Sequence, residues 1–135
     1  MTKPFSVLLI DDDATNNFLI ERLFQRLHLA DQFSIAQTGQ QALDLLARPD
    51  APRPTLLLLD LKMPGLSGAE FLARYHALPL AAGVQPVIIV LTTSTDHTDL
   101  TNIKQLRIDG LVTKPLTEPK LQHLLQLHFP ARLPG

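Results

Sequence analysis

An α/β fold on a doubly wound parallel sheet is predicted by three observations. Apolar runs alternate with amphipathic stretches five times along the 135 residues. Three of these runs, Val7-Leu8-Leu9-Ile10, Leu56-Leu57-Leu58-Leu59 and Val87-Ile88-Ile89-Val90-Leu91, are too unbroken for strands with one wet face. The connections between them have the length of helical crossovers, which demands parallel strands and right-handed topology.

The first strand, Val7–Ile10, runs into Asp11, Asp12 and Asp13. From Ala14 the spacing becomes helical, with Leu19, Ile20, Leu23, Phe24 and Leu27 on one face and Asp13 or Thr15 as cap. Phe33-Ser34-Ile35-Ala36 alternates, as a strand nearer an edge does. Gly39 opens a second helix with Ala42, Leu45 and Leu46 inward. The proline-rich stretch Arg48–Pro54 cannot continue it and is expected to be a loop. The leucine strand ends on Asp60. Met63-Pro64-Gly65 then stops the ladder, since proline lacks the amide donor and glycine permits a positive φ. Ser67 and Glu70 form a capping box before a third helix that buries Phe71, Leu72, Tyr75 and Leu78. Val87–Leu91 ends on Thr92 and Thr93. Leu100, Ile103 and Leu106 mark a fourth helix, Leu111-Val112-Thr113 a short strand ending at Lys114-Pro115. Leu121, Leu124, Leu125 and His128 mark a last helix.

Composition bounds the function. The 135 residues (1–135) fit a single domain with a core large enough to fold alone. A net charge of -1 gives no electrostatic reason for binding nucleic acid or acidic lipid. No run is long enough to span a bilayer, and MTKPFS lacks the basic and apolar parts of a secretory signal. Without cysteine there is no disulfide or thiolate metal site, which is compatible with the expected cytoplasmic location. The five histidines (His28, His76, His97, His123, His128) include no i, i+4 pair, so no zinc site is expected.

In a parallel sheet the carboxyl ends of all strands lie at one edge, where ligands bind. Asp11, Asp12, Asp60, Thr92 and Lys114 are therefore expected to converge there. Carboxylates so close repel one another, and a hard cation such as Mg²⁺ resolves this with carboxylates, waters and phosphate oxygens as ligands. Asp60 beside such an ion is placed as a nucleophile toward phosphorus. Lys114 and Thr92 would bind the remaining phosphoryl oxygens. A plain salt bridge between Lys114 and Asp60 is the alternative for that lysine, and is compatible with an unphosphorylated state. Asp13 is expected as a cap or rim charge.

Ile10-Asp11-Asp12-Asp13, Asp60 followed by Met63-Pro64-Gly65 and Gly68, Leu91-Thr92-Thr93 and Thr113-Lys114-Pro115 together resemble the receiver domain of two-component response regulators, from about Ser6 to Leu127. The resemblance implies a CheY-like fold with strand order 2-1-3-4-5. It implies that Asp60 accepts a phosphoryl group from a histidine kinase or histidine phosphotransfer protein. Mg²⁺ would be held by Asp11, Asp12, Asp60 and the backbone carbonyl of Lys62, with a cis Lys114-Pro115 bond. Such a protein is a phosphoacceptor rather than an enzyme, acting by docking to a target, since the receiver fills nearly the whole chain. By resemblance the docking or homodimer surface is the fourth helix, fifth strand and last helix, the region of Ile103, Lys104, Arg107, Leu111, Leu121 and His123. Leu111 departs from the family, which usually has an aromatic switch residue there. The side chain of Lys62 is expected to reach solvent. A phosphohydrolase of the haloacid dehalogenase type is disfavoured, because Lys62 stands where those enzymes have a second aspartate. A receiver-shaped module that is never phosphorylated usually lacks an acidic residue or the lysine, and both are kept here.

Overall fold

The computed structural model describes residues 5–48, 53–63, 65–78, 86–93 and 107–132. Five strands form one sheet: β1 (Ser6–Ile10), β2 (Gln32–Ala36), β3 (Leu56–Asp60), β4 (Val87–Thr92) and β5 (Gly110–Thr113). Every pairing is parallel and the order is β2-β1-β3-β4-β5. The helices among the described residues are α1 (Ala14–Arg26), α2 (Gly39–Ala47), α3 (Gly68–His76) and α4 (Glu118–His128). The predicted helix around Leu100, Ile103 and Leu106 lies outside the described residues, as does His97.

The pleat sends alternate residues of each central strand to opposite faces, and both faces are covered. Val7, Leu9, Leu56 and Leu58 pack with Ile20, Leu23 and Phe24 of α1 and Leu121, Leu124 and Leu125 of α4. Leu8, Ile10, Leu57 and Leu59 pack with Ala42 and Leu43 of α2 and Phe71, Leu72 and Tyr75 of α3. The four consecutive leucines are thus shared between two cores and are fully buried.

The helices depart in detail from the sequence reading. In α1 the buried stripe is Ile20, Leu23 and Phe24, with Leu27 packed against it, whereas Leu19 is 58% exposed. Leu19 lies about 100° around the helix from Ile20, outside the i, i+3, i+4, i+7 stripe. In α2 the stripe is Gly39, Ala42 and Leu43, and the expected Leu45 and Leu46 are only half-buried. Leu78, beyond α3, is likewise half-buried.

The ends of the helices are chemically specified. Asp13 caps α1, its carboxylate accepting from the N–H groups of Thr15 and Asn16. Thr38 caps α2, Ser67 caps α3 through the N–H of Glu70, and Thr117 caps α4. At the other end of α1, the Leu29 N–H reaches the Phe24 carbonyl and the His28 N–H that of Gln25. This is a Schellman closure, with His28 rather than glycine at the left-handed position, φ 52°. Gly65, φ 80°, turns the chain between β3 and α3.

Candidate functional site

The sheet register brings the site together. Ile10 pairs with Leu59, so the next residues, Asp11 and Asp60, stand side by side at the carboxyl edge. Thr92 pairs with Thr113, and the following Lys114 donates its N–H to the Thr92 carbonyl at 2.8 Å. Four of the strands therefore deliver residues to one spot. Oxygens of Asp11, Asp12 and Asp60 lie within 4.8 Å of one another. Asp11 and Asp60 are buried and Asp12 is exposed.

Lys114 reaches into this cluster. Its Nζ is 2.9 Å from Asp11 Oδ2 and 3.3 Å from Asp60 Oδ1. The expected pairing with Asp60 is present, but the nearer partner is Asp11. The Asp11 carboxylate also accepts the Asp13 N–H on Oδ1 at 2.9 Å and the Asn16 Nδ2 on Oδ2 at 2.7 Å. Asp60 Oδ1 accepts the Lys62 N–H at 3.3 Å. Thr92 is buried at the end of β4, and the Lys114-Pro115 bond is cis. Lys62 is exposed, and Asp13 serves as the cap of α1 rather than a member of the cluster.

The electrostatics follow from this crowding. Burial raises the pKa of Asp60 above its usual 3.8, the Asp11 carboxylate raises it further, and Lys114 and the Lys62 N–H oppose the rise. For Lys114, burial alone would lower the pKa, but bonding to Asp11 and the charges of Asp60 and Asp11 outweigh it and hold the ammonium protonated. Three carboxylates against one ammonium leave two formal negative charges. An all-oxygen donor set with unrelieved negative charge and one exposed member fits a hard divalent cation. Among the described residues this is the one grouping of acidic or histidine side chains with metal-ligating geometry.

Sequence reasoning missed Asn16 and Asn17. Asn17 Nδ2 donates to the Asp11 carbonyl at 2.8 Å, while Asn16 holds the Asp11 carboxylate. Their signal was positional: two amides at the start of the helix turn back toward Asp11, two residues before the cap. Leu111, expected in the docking surface, is 44% exposed on the edge strand β5. Leu121, expected in a docking surface, is fully buried, whereas Arg107 and His123 are exposed. Ile103 and Lys104 lie outside the described residues.

A parallel sheet ordered 2-1-3-4-5, with an acidic cluster and a lysine at its carboxyl edge, defines a CheY-like α/β protein. The response regulator receiver domain family matches residues 7–126. A curated relative from Methanothrix harundinacea, the probable methanogenesis regulatory protein FilR2, is 30% identical over 132 residues, 91% of this chain and 80% of that one. A solved two-component response regulator from Legionella pneumophila is 28% identical with a TM-score of 0.78, over 91% of this chain and 96% of that one. The receiver domain of a sensor histidine kinase from Pseudomonas aeruginosa, solved with magnesium coordinated in its active-site cleft, is 25% identical with a TM-score of 0.76. That match covers 93% of this chain and 98% of the other. The chain belongs to the response regulator receiver domain family, the phosphoacceptor domains of two-component signalling. No helix among its described residues is long and apolar enough to cross a membrane.

Proposed function

We propose that Asp60 is the phosphoacceptor, that phosphorylation requires Mg²⁺, and that the donor is a histidine kinase or a histidine phosphotransfer protein. The observation that carries this reading is the clustering of three carboxylates within 4.8 Å with Lys114 reaching two of them. An oxygen of Asp60 forms a bond to phosphorus as the phosphorus–nitrogen bond of the donor phosphohistidine breaks, and the departing imidazole takes up a proton. Asp11, Asp12, Asp60 and the carbonyl of Lys62 would hold the cation, which supplies positive charge against the phosphoryl oxygens. Lys114 turns from Asp60 toward a phosphoryl oxygen, replacing one charge-assisted bond by another. The Thr92 hydroxyl donates to a further oxygen. The domain signals by docking whose affinity depends on the phosphoryl group, with the exposed Arg107, Leu111 and His123 as the face for a target or a second copy. One receiver domain spans the chain, and a cytoplasmic location accords with kinship to two-component receivers.

Incubation with acetyl phosphate and Mg²⁺, read by intact mass, tests the reading. The protein gains one phosphoryl group, which a chelator prevents and Asp60→Asn abolishes. A normal yield of hydrolytically labile phosphate on Asp60→Asn would falsify the assignment.

A further inference from the structure

We infer that Asn16 and Asn17 form a two-point clamp on Asp11, with Asn16 as a positioning residue that lets Lys114 leave that carboxylate. The inference rests on the function proposed above. Asp11 is fully buried, so its ionised oxygens need donors from the protein. Oδ1 has the Asp13 N–H; Oδ2 has two donors, Asn16 Nδ2 at 2.7 Å and Lys114 Nζ at 2.9 Å. Asn17 fixes the other end of the residue, donating to its main-chain carbonyl at 2.8 Å.

The two donors on Oδ2 have different freedom. Lys114 ends a long, flexible stem and is shared with Asp60 at 3.3 Å. Asn16 is short and carried on the capped first turn of α1. When Lys114 turns toward a phosphoryl group on Asp60, Oδ2 keeps one donor because Asn16 stays. Without Asn16, that movement would leave Oδ2 with no donor from the protein, so Lys114 would be held on Asp11.

Asn17 gives a second sign that the clamp is kept for Asp11. It is 3% exposed, and its Oδ1 is buried with no hydrogen-bond partner among the described residues. An unpaired buried acceptor is destabilising, and an apolar side chain would avoid it. The bond that the amide does make is the one to the Asp11 carbonyl.

The test is Asn16→Ala. The position is half-buried and alanine is the best helix former, so the variant folds. Two quantities are measured beside its metal-free melting temperature. One is the Mg²⁺ concentration at the midpoint of the metal-induced rise in melting temperature, without any phosphodonor. The other is the rate of phosphorylation by acetyl phosphate at saturating Mg²⁺. The metal-free melting temperature stays within a few degrees, the Mg²⁺ midpoint rises, and the rate falls about tenfold or more, the effect of one hydrogen bond to a charged group. A midpoint and a rate equal to wild type, whatever the melting temperature, overturn the clamp. Wild-type protein that binds Mg²⁺ but takes no phosphoryl group removes the proposed function and with it the part played by Lys114. The metal midpoint of Asn16→Ala then still decides whether Asp11 is positioned by Asn16.

Discussion

Gly68 and Gly39 both begin helices on the same face of the sheet, yet alanine should act differently at the two. A methyl group at Gly68 would lie 2.8 Å from Leu61 Cα and 2.9 Å from the Asp60 carbonyl oxygen. Ordinary contact lies about half an ångström or more further out, and both obstacles are backbone. At Gly39 the closest atom is also at 2.8 Å, but it is Cδ2 of Leu66, the far end of a half-buried side chain. Leu66 Cβ and Cγ, each at 3.2 Å, need give only by a few tenths of an ångström as the tip turns away, whereas the strand end carrying Asp60 cannot yield without moving the site. Overpacking costs about 1–3 kcal/mol, and replacing a helical glycine returns about 0.5–1 kcal/mol. Gly68→Ala should therefore lose roughly 1–2 kcal/mol, while Gly39→Ala stays within about 0.5 kcal/mol of wild type. Urea unfolding followed by circular dichroism reads this directly. With a slope of about 2 kcal/mol per molar, the Gly68→Ala midpoint falls by roughly 0.5–1 M. Equal midpoints for the two variants would refute the claim that α3 is docked against the backbone of the strand that ends on Asp60.

His28→Gly should stabilise the protein by up to about 1 kcal/mol, because glycine occupies the left-handed closure of α1 without a Cβ penalty. A loss of stability in urea unfolding would show that the His28 side chain is needed where it is. Asp60→Asn should be more stable than wild type at neutral pH in the presence of a chelator. The folded-state pKa of Asp60 is raised, so its favourable contribution is full below the unfolded value near 3.8 and is lost as pH rises through the folded value. A neutral amide escapes that loss, and the advantage should shrink as pH falls through the folded-state pKa. Chelated wild type that is the more stable of the two at pH 7 would contradict it.

The fold was legible because each strand is a short apolar run ending in chemistry, and the pleat and parallel pairing leave one arrangement for those ends. Asp11, Asp12, Asp60, Thr92 and Lys114 could be placed at one edge from sequence, since strand register alone determines their height. What could not be read was side-chain partnership. The preference of Lys114 for Asp11 depends on tenths of an ångström, and the Asn16 and Asn17 contacts depend on the entry angle of α1. Leu19 was misplaced for a different reason. Three adjacent apolar residues, Phe18, Leu19 and Ile20, span too wide an arc for one helix face, and periodicity does not say which is left outside.

Contacts within the pocket also divide the labour among its carboxylates on the proposed reading. Asp11 is held by three donors at 2.7 to 2.9 Å and is fully buried. Among the described residues, Asp60 is reached by two donors, the Lys62 N–H and Lys114 Nζ, each at 3.3 Å. A carboxylate that gives up little electron density to short bonds keeps more of its nucleophilicity, while one fixed by several is the better anchor. Burial, and after it the neighbouring Asp11 carboxylate, raise the pKa of Asp60 against the opposing pull of Lys114 and the Lys62 N–H. Exchanging the two roles would require Lys114 to sit on Asp60 and the Asn16 amide to find another acceptor. Asp12, exposed at the rim, is the carboxylate an arriving cation can meet while still hydrated. The asymmetry thus favours phosphorylation at Asp60 over Asp11 even though both are strand-end aspartates side by side.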